Sequence, residues 1–118
     1  MGATRFEEVE LWKKAHAWVL AIYRFSALFP KHELFGLTSQ LRRAAVSVPA
    51  NFAEGFKRLG RADKVRFFNI SQGSREECRY YLILSRDLGY GKTEVLIAAV
   101  DEVARMLASY IETILSRR

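Results

Sequence analysis

The residues best suited to chemistry are few, and their spacing forms no catalytic or metal-binding motif. The segment Gly89–Thr93, GYGKT, is similar to the end of a phosphate-binding loop, but the first glycine of that motif would fall on Arg86 and no strand precedes it. Neither His16 nor His32 has a glutamate three residues before it, so the Glu-x-x-His pairs of a di-iron bundle are missing. The sequence therefore predicts no metal and no cofactor.

Cys78 and Ser74 are the candidate nucleophiles, and both lie in the middle of a predicted helix, away from the histidines. A nucleophile needs a base within hydrogen-bond reach, so we expect no catalytic residues and no enzymatic activity. Cys78 is predicted to be a small core residue. As the only cysteine it cannot form an internal disulfide, which indicates a reducing compartment and hence a cytoplasmic protein.

Positive charge is concentrated in one short segment. The 118-residue chain carries 19 basic and 13 acidic residues, a net charge of +6. The segment KRLGRADKVR contains one aspartate and five basic residues, which are Lys57, Arg58, Arg61, Lys64 and Arg66. Clustered basic residues gain affinity for a polyanion by releasing its counterions, so this segment favours a nucleic-acid partner. The alternative is a solvated basic turn without a ligand.

The elements that would position these residues are four segments with helical apolar periodicity. They run from about Glu7 to Leu28, from about Leu34 or Thr38 to Phe56, from about Arg61 to Leu88, and from the predicted N-cap Thr93 through Ile114. Gly89 is the predicted left-handed stop of the third helix. No segment alternates with period two. We therefore predict one domain over residues 1–118, an all-α, antiparallel up-down-up-down four-helix bundle.

The first predicted helix carries a second apolar stripe, Leu11, Trp18 and Phe25, beside its main seam. The stripe is either a widened core face or a subunit interface. Because large exposed apolar patches are rare on monomers, we predict an oligomer interface and a homo-oligomer. The longest unbroken apolar run, Ala17–Tyr23, is far shorter than the roughly 20 residues of a membrane helix, so no membrane span is expected.

Pro49 lies inside the second predicted helix. Proline lacks an N–H and crowds the carbonyl four residues earlier, so the helix is predicted either to kink there or to end at Val48 and restart. Asn51 and Glu54 are predicted to be structural polar residues. Asn51 would repair backbone hydrogen bonds near the proline, and Glu54 would pair with an arginine, for which the third helix is one source. The alternative is a polar site at a subunit boundary.

Three segments carry a resemblance to a known family. GLTSQLRRAAVSVPANFAEGFKR, Gly36–Arg58, closely resembles the signature of the four-helix-bundle proteins encoded by intervening sequences in bacterial 23S ribosomal RNA genes. FEEVELWKKA, Phe6–Ala15, resembles the opening of these proteins, and Phe67–Tyr90 resembles their third helix. Phe52 departs from the isoleucine that is usual in the pattern. The resemblance implies a ring, commonly a homopentamer, with no established enzymatic activity.

The resemblance also indicates candidate contacts for a ligand. A bundle of similar fold is the accessory protein of diversity-generating retroelements, where a basic pentamer binds nucleic acid and the reverse transcriptase. By that analogy Arg42 and Arg43, with the basic segment, are predicted RNA or DNA contacts. The alternative for these two residues is an intersubunit or surface salt bridge. They point about 100° apart on a helix, so we do not expect both to serve one role. The alternative function is a protein-interaction scaffold or adaptor for a polymerase or another partner enzyme.

Overall fold

The computed structural model describes residues 2–117, and within that range it contains helices and no strand. The α-helices are α1 (Glu10–Ser26), α2 (Leu37–Lys57), α3 (Arg61–Asp87) and α4 (Glu94–Ser116), with short 3₁₀ helices at Phe6–Glu8 and Lys31–Glu33. The predicted all-α four-helix class is confirmed. The first helix begins later than predicted, because Val9 has an extended backbone that separates the first 3₁₀ helix from α1.

The helices pack side by side in an elongated body that measures 49 × 23 × 20 Å. Helices α1 and α3 each pack against both α2 and α4. Between α2 and α3, Tyr81 contacts Gln40 and Ser74 contacts Ser47, so these two helices run in opposite directions. The α2–α3 hairpin therefore lies at one end of the body, and the start of α2 lies at the other.

Three aromatic rings fill the core beneath the α2–α3 hairpin. The ring centroids of Phe52, Phe68 and Tyr110 lie 5.2 to 5.5 Å apart. Gly55 makes this packing possible, because a Cβ at that position would lie 2.7 Å from Cε1 of Phe68. The missing side chain thus lets α2 and α3 approach closely where the chain turns between them.

Helix α2 continues through the buried Pro49 without interruption. The alternative in which the helix ends at Val48 and restarts is therefore wrong, while a kink at Pro49 stays a prediction. The buried Ser71 of α3 donates its hydroxyl to the carbonyl of Val48 at 2.8 Å. This hydrogen bond ties α3 to α2 one residue before the proline.

Asn51 bonds to the backbone near Pro49, as predicted, but to a different carbonyl from the one the proline frees. Its Nδ2 donates to the Ser47 carbonyl at 3.0 Å and to the Ser47 hydroxyl at 2.8 Å. The carbonyl that Pro49 deprives of its usual donor belongs to Ala45. Asn51 therefore braces the turn around the proline rather than satisfying that carbonyl.

The second apolar stripe of α1 lies largely inside the chain. Leu11 is 4% exposed and Trp18 is 3% exposed, and Trp18 Nε1 donates to the Leu96 carbonyl of α4 at 3.1 Å. The predicted oligomer interface is therefore wrong for Leu11 and Trp18, because both side chains are already buried within the single chain and this part of the stripe is a widened core face. Phe25 is half-buried, with its ring 5.2 Å from that of Phe29.

The predicted helix boundaries on either side of the α3–α4 loop have different outcomes. Gly89 has a φ of 82°, and Tyr90 N–H donates to the Ser85 carbonyl at 2.9 Å, so Gly89 is confirmed as the stop of α3. Thr93 occupies the N-cap position of α4, but its side chain makes no capping hydrogen bond. Its hydroxyl is buried and has no partner among the described residues.

Candidate nucleic-acid interface

The candidate interface is the turn between α2 and α3 with the residues that flank it, Lys57–Arg66, hereafter the basic tip. Helix α2 ends at Lys57, α3 begins at Arg61, and the fully exposed Leu59 lies in the turn between them. The close approach of the two helices at Gly55 brings all five predicted cationic residues to one end of the bundle.

Lys64 closes the end of α2. Its ammonium group donates to the Phe56 carbonyl at 2.7 Å and to the Gly55 carbonyl at 3.3 Å. The last turn of a helix leaves carbonyls without their usual donor four residues later. The Gly55 carbonyl also accepts from the Arg58 N–H at 3.1 Å, so Lys64 is a second donor there. Partial burial lowers the pKa of Lys64 from its ordinary value. Lys64 is thus committed to the fold, although the sequence predicts it as a nucleic-acid contact.

Arg58 and Arg66 share acidic partners and one aromatic ring. Arg58 forms an ion pair with Glu54 and lies 3.9 Å from Asp63, and Arg66 pairs with Asp63 at 3.0 Å. Their guanidinium carbons lie 4.6 and 4.4 Å from the Phe67 ring centroid. Glu54 does pair with an arginine, but that arginine follows α2 and does not come from α3. Two of the five predicted cations are therefore partly neutralised.

Lys57 and Arg61 are the remaining two cations of the basic tip. Both are exposed, and neither makes an ion pair or hydrogen bond with any residue in the range 2–117. They flank the exposed turn, and no described contact of the fold holds either side chain. They are the two cations of the tip that have no described partner.

The neighbouring arginines of α2 have separate surroundings, as their angular separation predicts. Arg42 Nε donates to the Ser26 hydroxyl at 2.8 Å, and its terminal nitrogen donates to the Tyr23 carbonyl at 3.2 Å. Its guanidinium also lies 4.6 Å from the Tyr23 ring centroid. Arg42 therefore holds α2 against the end of α1. Arg43 is exposed and makes no hydrogen bond or ion pair with another described residue.

Arg43 lines a groove between α2 and α3 that sequence reasoning missed. The groove has a volume of about 410 Å³ and is bordered by Phe35, Gln40, Arg43, Ser47, Ser74 and Glu77, hereafter the α2–α3 groove. Phe35 is 93% exposed. The sequence signal for the groove was weak, because its residues come from a loop and two helices whose register only the packed structure sets.

Other chemistry finds little support in the described part of the chain. No three histidine, cysteine, aspartate or glutamate side chains of residues 2–117 lie close enough together to hold a metal ion. Burial raises the pKa of the Cys78 thiol to about 12, so the group stays protonated, as a core cysteine should. Across the same residues, each helix is too short or too polar to cross a lipid bilayer.

The fold and the tip define a class of protein, a basic four-helix bundle with free cations at one hairpin. The chain belongs to the 23S rRNA-intervening sequence protein family, whose model matches residues 7–109. A similar solved structure is that of a protein of unknown function from the S23 ribosomal protein family of Bacteroides thetaiotaomicron VPI-5482. It is 25% identical, has a TM-score of 0.78, and aligns over 86% of this chain and 98% of that one. Among curated proteins, none matches the chain.

Proposed function

We propose that the protein is a non-enzymatic, nucleic-acid-binding bundle that contacts phosphates through its basic tip. The observation that carries this proposal is the pair of exposed cations, Lys57 and Arg61, which have no described partner in the fold. A basic side chain without an intramolecular partner can pair with a phosphate, and the counterions that the nucleic acid then releases favour binding. Arg58, Lys64 and Arg66 support the tip and add long-range positive potential.

The experiment neutralises the two free cations and leaves the structural ones in place. Lys57→Gln with Arg61→Gln should weaken binding of a labelled single-stranded RNA, because two phosphate contacts are lost. Each phosphate contact on a single strand contributes about 0.7 to the slope of log affinity against log salt. The loss of two contacts should therefore weaken binding by a factor that is roughly 25-fold larger at about 0.1 M salt than at about 1 M. Fluorescence anisotropy measures the dissociation constants. Substituting Arg58 or Lys64 would confuse binding with folding, because both hold the hairpin together.

A matched control removes the same charge elsewhere on the surface. Lys14 pairs with Glu102 at 3.6 Å and Arg79 pairs with Asp101 at 3.2 Å, both away from the basic tip. Lys14→Gln with Arg79→Gln lowers the net charge by the same amount. This control should bind RNA nearly as the wild type does. Equal losses in the tip variant and the control variant would refute a specific role for the tip.

We propose further that the protein acts in the cytoplasm as a homo-oligomeric ring, with five copies by the family resemblance. The interface must use surfaces other than Leu11 and Trp18, and Val46 on α2 and Ile70 on α3 are apolar side chains that stay about 40% exposed in the single chain. Native mass spectrometry tests the ring. A mass of five 13.6 kDa chains is expected, and a monomer at micromolar concentration would contradict the proposal.

The second candidate function is a scaffold or adaptor for a protein partner. It is favoured by exposed leucines at the end of the bundle opposite the basic tip: Leu28 is 80% exposed, Leu34 52% and Leu88 49%. Exposed apolar side chains of this size favour protein contacts. A protein partner that copurifies after nuclease treatment would support this function over the first. The partner should be lost from the variant with Leu28→Ser and Leu34→Ser and kept by the variant with Lys57→Gln and Arg61→Gln.

A further inference from the structure

We infer that the α2–α3 groove holds one unpaired nucleotide of a single-stranded nucleic acid, with its base stacked on Phe35 and its phosphate on Arg43. The inference rests on the proposed function and names the form of nucleic acid that the protein selects. A groove of about 410 Å³ lies within the size range of small-ligand pockets.

Phe35 supplies a stacking surface. Its side chain is 93% exposed in the loop before α2, so burial in the fold does not account for an aromatic ring there. A base that stacks on such a ring removes apolar area of both partners from water, and every base has a face that can do so. The bases of a duplex are already stacked on each other, so this contact selects single strands.

Arg43 supplies the phosphate contact. It is exposed, lacks a described partner, and borders the same groove as Phe35. Arg43 and Lys57 lie 14 residues apart on α2, which corresponds to about 21 Å along the axis and to faces about 40° apart. A single strand of a few nucleotides can therefore follow α2 from the groove to the basic tip. The two cationic sites form one track.

The wall of the groove is rich in hydrogen-bond acceptors. The single phenolic hydrogen of Tyr81 faces two oxygens, Oε2 of Glu77 at 2.6 Å and Oε1 of Gln40 at 3.0 Å. The carboxylate takes this hydrogen, which raises the pKa of Tyr81 to about 12. The second oxygen of Glu77 then remains available to accept from a ligand. A carboxylate accepts from the amino group of cytosine and repels the carbonyl oxygen that uracil has in its place.

The hydroxyls of Ser47 and Ser74 lie across the floor of the groove, 2.7 Å from each other. Asn51 donates to the same Ser47 hydroxyl at 2.8 Å, so this oxygen already has two polar neighbours from the fold. Serine hydroxyls bond to bases and sugars of either kind without strong selection. The floor therefore tolerates any base, so the preference among bases comes from Glu77 and the preference for single strands comes from Phe35.

The test compares single-stranded and duplex forms of one labelled RNA sequence, with Phe35→Ala and Arg43→Gln as variants. Phe35→Ala should weaken single-strand binding by at least about fivefold, the lower limit for one stacked base, and should change duplex binding less than twofold. Phe35→Tyr should restore single-strand affinity because it restores the ring. Leu34→Ala is the matched control, since it removes a neighbouring exposed side chain that does not border the groove.

A further measurement tests the acceptor wall. The wild type should bind oligocytidylate more tightly than oligouridylate, and Glu77→Gln should reduce that preference. Equal binding of the two oligonucleotides by the wild type would refute the role of Glu77. Unchanged single-strand affinity in both Phe35→Ala and Arg43→Gln would overturn the groove as a nucleotide site. A loss of duplex affinity as large as the loss of single-strand affinity would do the same.

The outcomes separate the groove from the basic tip. If the variant with Lys57→Gln and Arg61→Gln loses affinity while Phe35→Ala and Arg43→Gln do not, the groove assignment fails and the proposed function stands. If the wild type binds neither single strand nor duplex at low salt, both fail. Phe35 and Arg43 make no described hydrogen bonds, so their variants should keep the wild-type thermal unfolding midpoint, which circular dichroism verifies.

Discussion

Replacing Gly55 by alanine should destabilise the bundle, whereas the same replacement at Gly73 should stabilise it. Both glycines lie inside helices, Gly55 in α2 and Gly73 in α3. Alanine favours a helix over glycine by about 1 kcal/mol in each case. The two positions differ in space, because a Cβ at Gly55 would lie 2.7 Å from Cε1 of Phe68, whereas a Cβ at Gly73 would meet nothing within 4 Å.

The packing cost at Gly55 exceeds the gain in helix propensity. Phe68 is fully buried and stacks on Phe52 with a centroid distance of 5.2 Å, so its ring cannot move without disturbing the core. Overpacking of a close-packed core costs about 1–3 kcal/mol. Once the helix-propensity gain of about 1 kcal/mol is subtracted, Gly55→Ala should lower the free energy of unfolding by up to about 2 kcal/mol, and Gly73→Ala should raise it by about 0.5–1 kcal/mol.

Urea denaturation followed by circular dichroism measures both changes at one protein concentration. For a domain of 118 residues the thermal midpoint should move by roughly 4 °C per kcal/mol, in opposite directions for the two variants. Stabilisation by Gly55→Ala would refute the close approach of α2 and α3 at the tip. Destabilisation by Gly73→Ala would show that another surface covers that exposed position in the assembled protein.

Three other predictions follow from single side chains. Thr93→Val should raise stability by about 1 kcal/mol, because it removes a buried hydroxyl without a described partner; equal stability in urea would mean that the hydroxyl is satisfied. Tyr90 donates to Glu33 at 2.7 Å, which lowers the pKa of Glu33 and raises that of Tyr90. The difference in the free energy of unfolding between wild type and Tyr90→Phe should therefore be largest between pH 4.5, the ordinary pKa of glutamate, and pH 10.0, the ordinary pKa of tyrosine. The difference should shrink below and above that range, and a difference that is constant with pH would contradict the hydrogen bond. Cys78 should resist a thiol reagent in the native protein and react fully in denaturant, and rapid native labelling would show that the core opens.

Apolar periodicity predicted the helices well because it depends only on which side chains must leave water. The four segments, the class of fold and the glycine stop at Gly89 follow from that local information. The same pattern could not say whether the stripe of Leu11 and Trp18 is covered by α4 or by another subunit. That choice depends on how far the helices splay, which is a property of the whole packed bundle.

The roles of the cationic residues were harder to predict, because long basic side chains choose partners that are distant in sequence. Lys64 reaches back across the turn to carbonyls of α2, and Arg42 reaches the end of α1. Charge density alone treats these residues as equivalent to Lys57 and Arg61. Only the packed structure separates the cations that hold the fold from those that remain free. The α2–α3 groove was missed for the same reason.

The most direct measurement is the dependence of RNA affinity on salt concentration. We expect Lys57→Gln with Arg61→Gln to lower the slope of log Kd against log salt by about 1.4, since each unpaired cation releases about 0.7 counterions from a single strand. The control with Lys14→Gln and Arg79→Gln should leave the slope unchanged. A slope that is the same in the wild type and the tip variant would contradict phosphate binding by the basic tip.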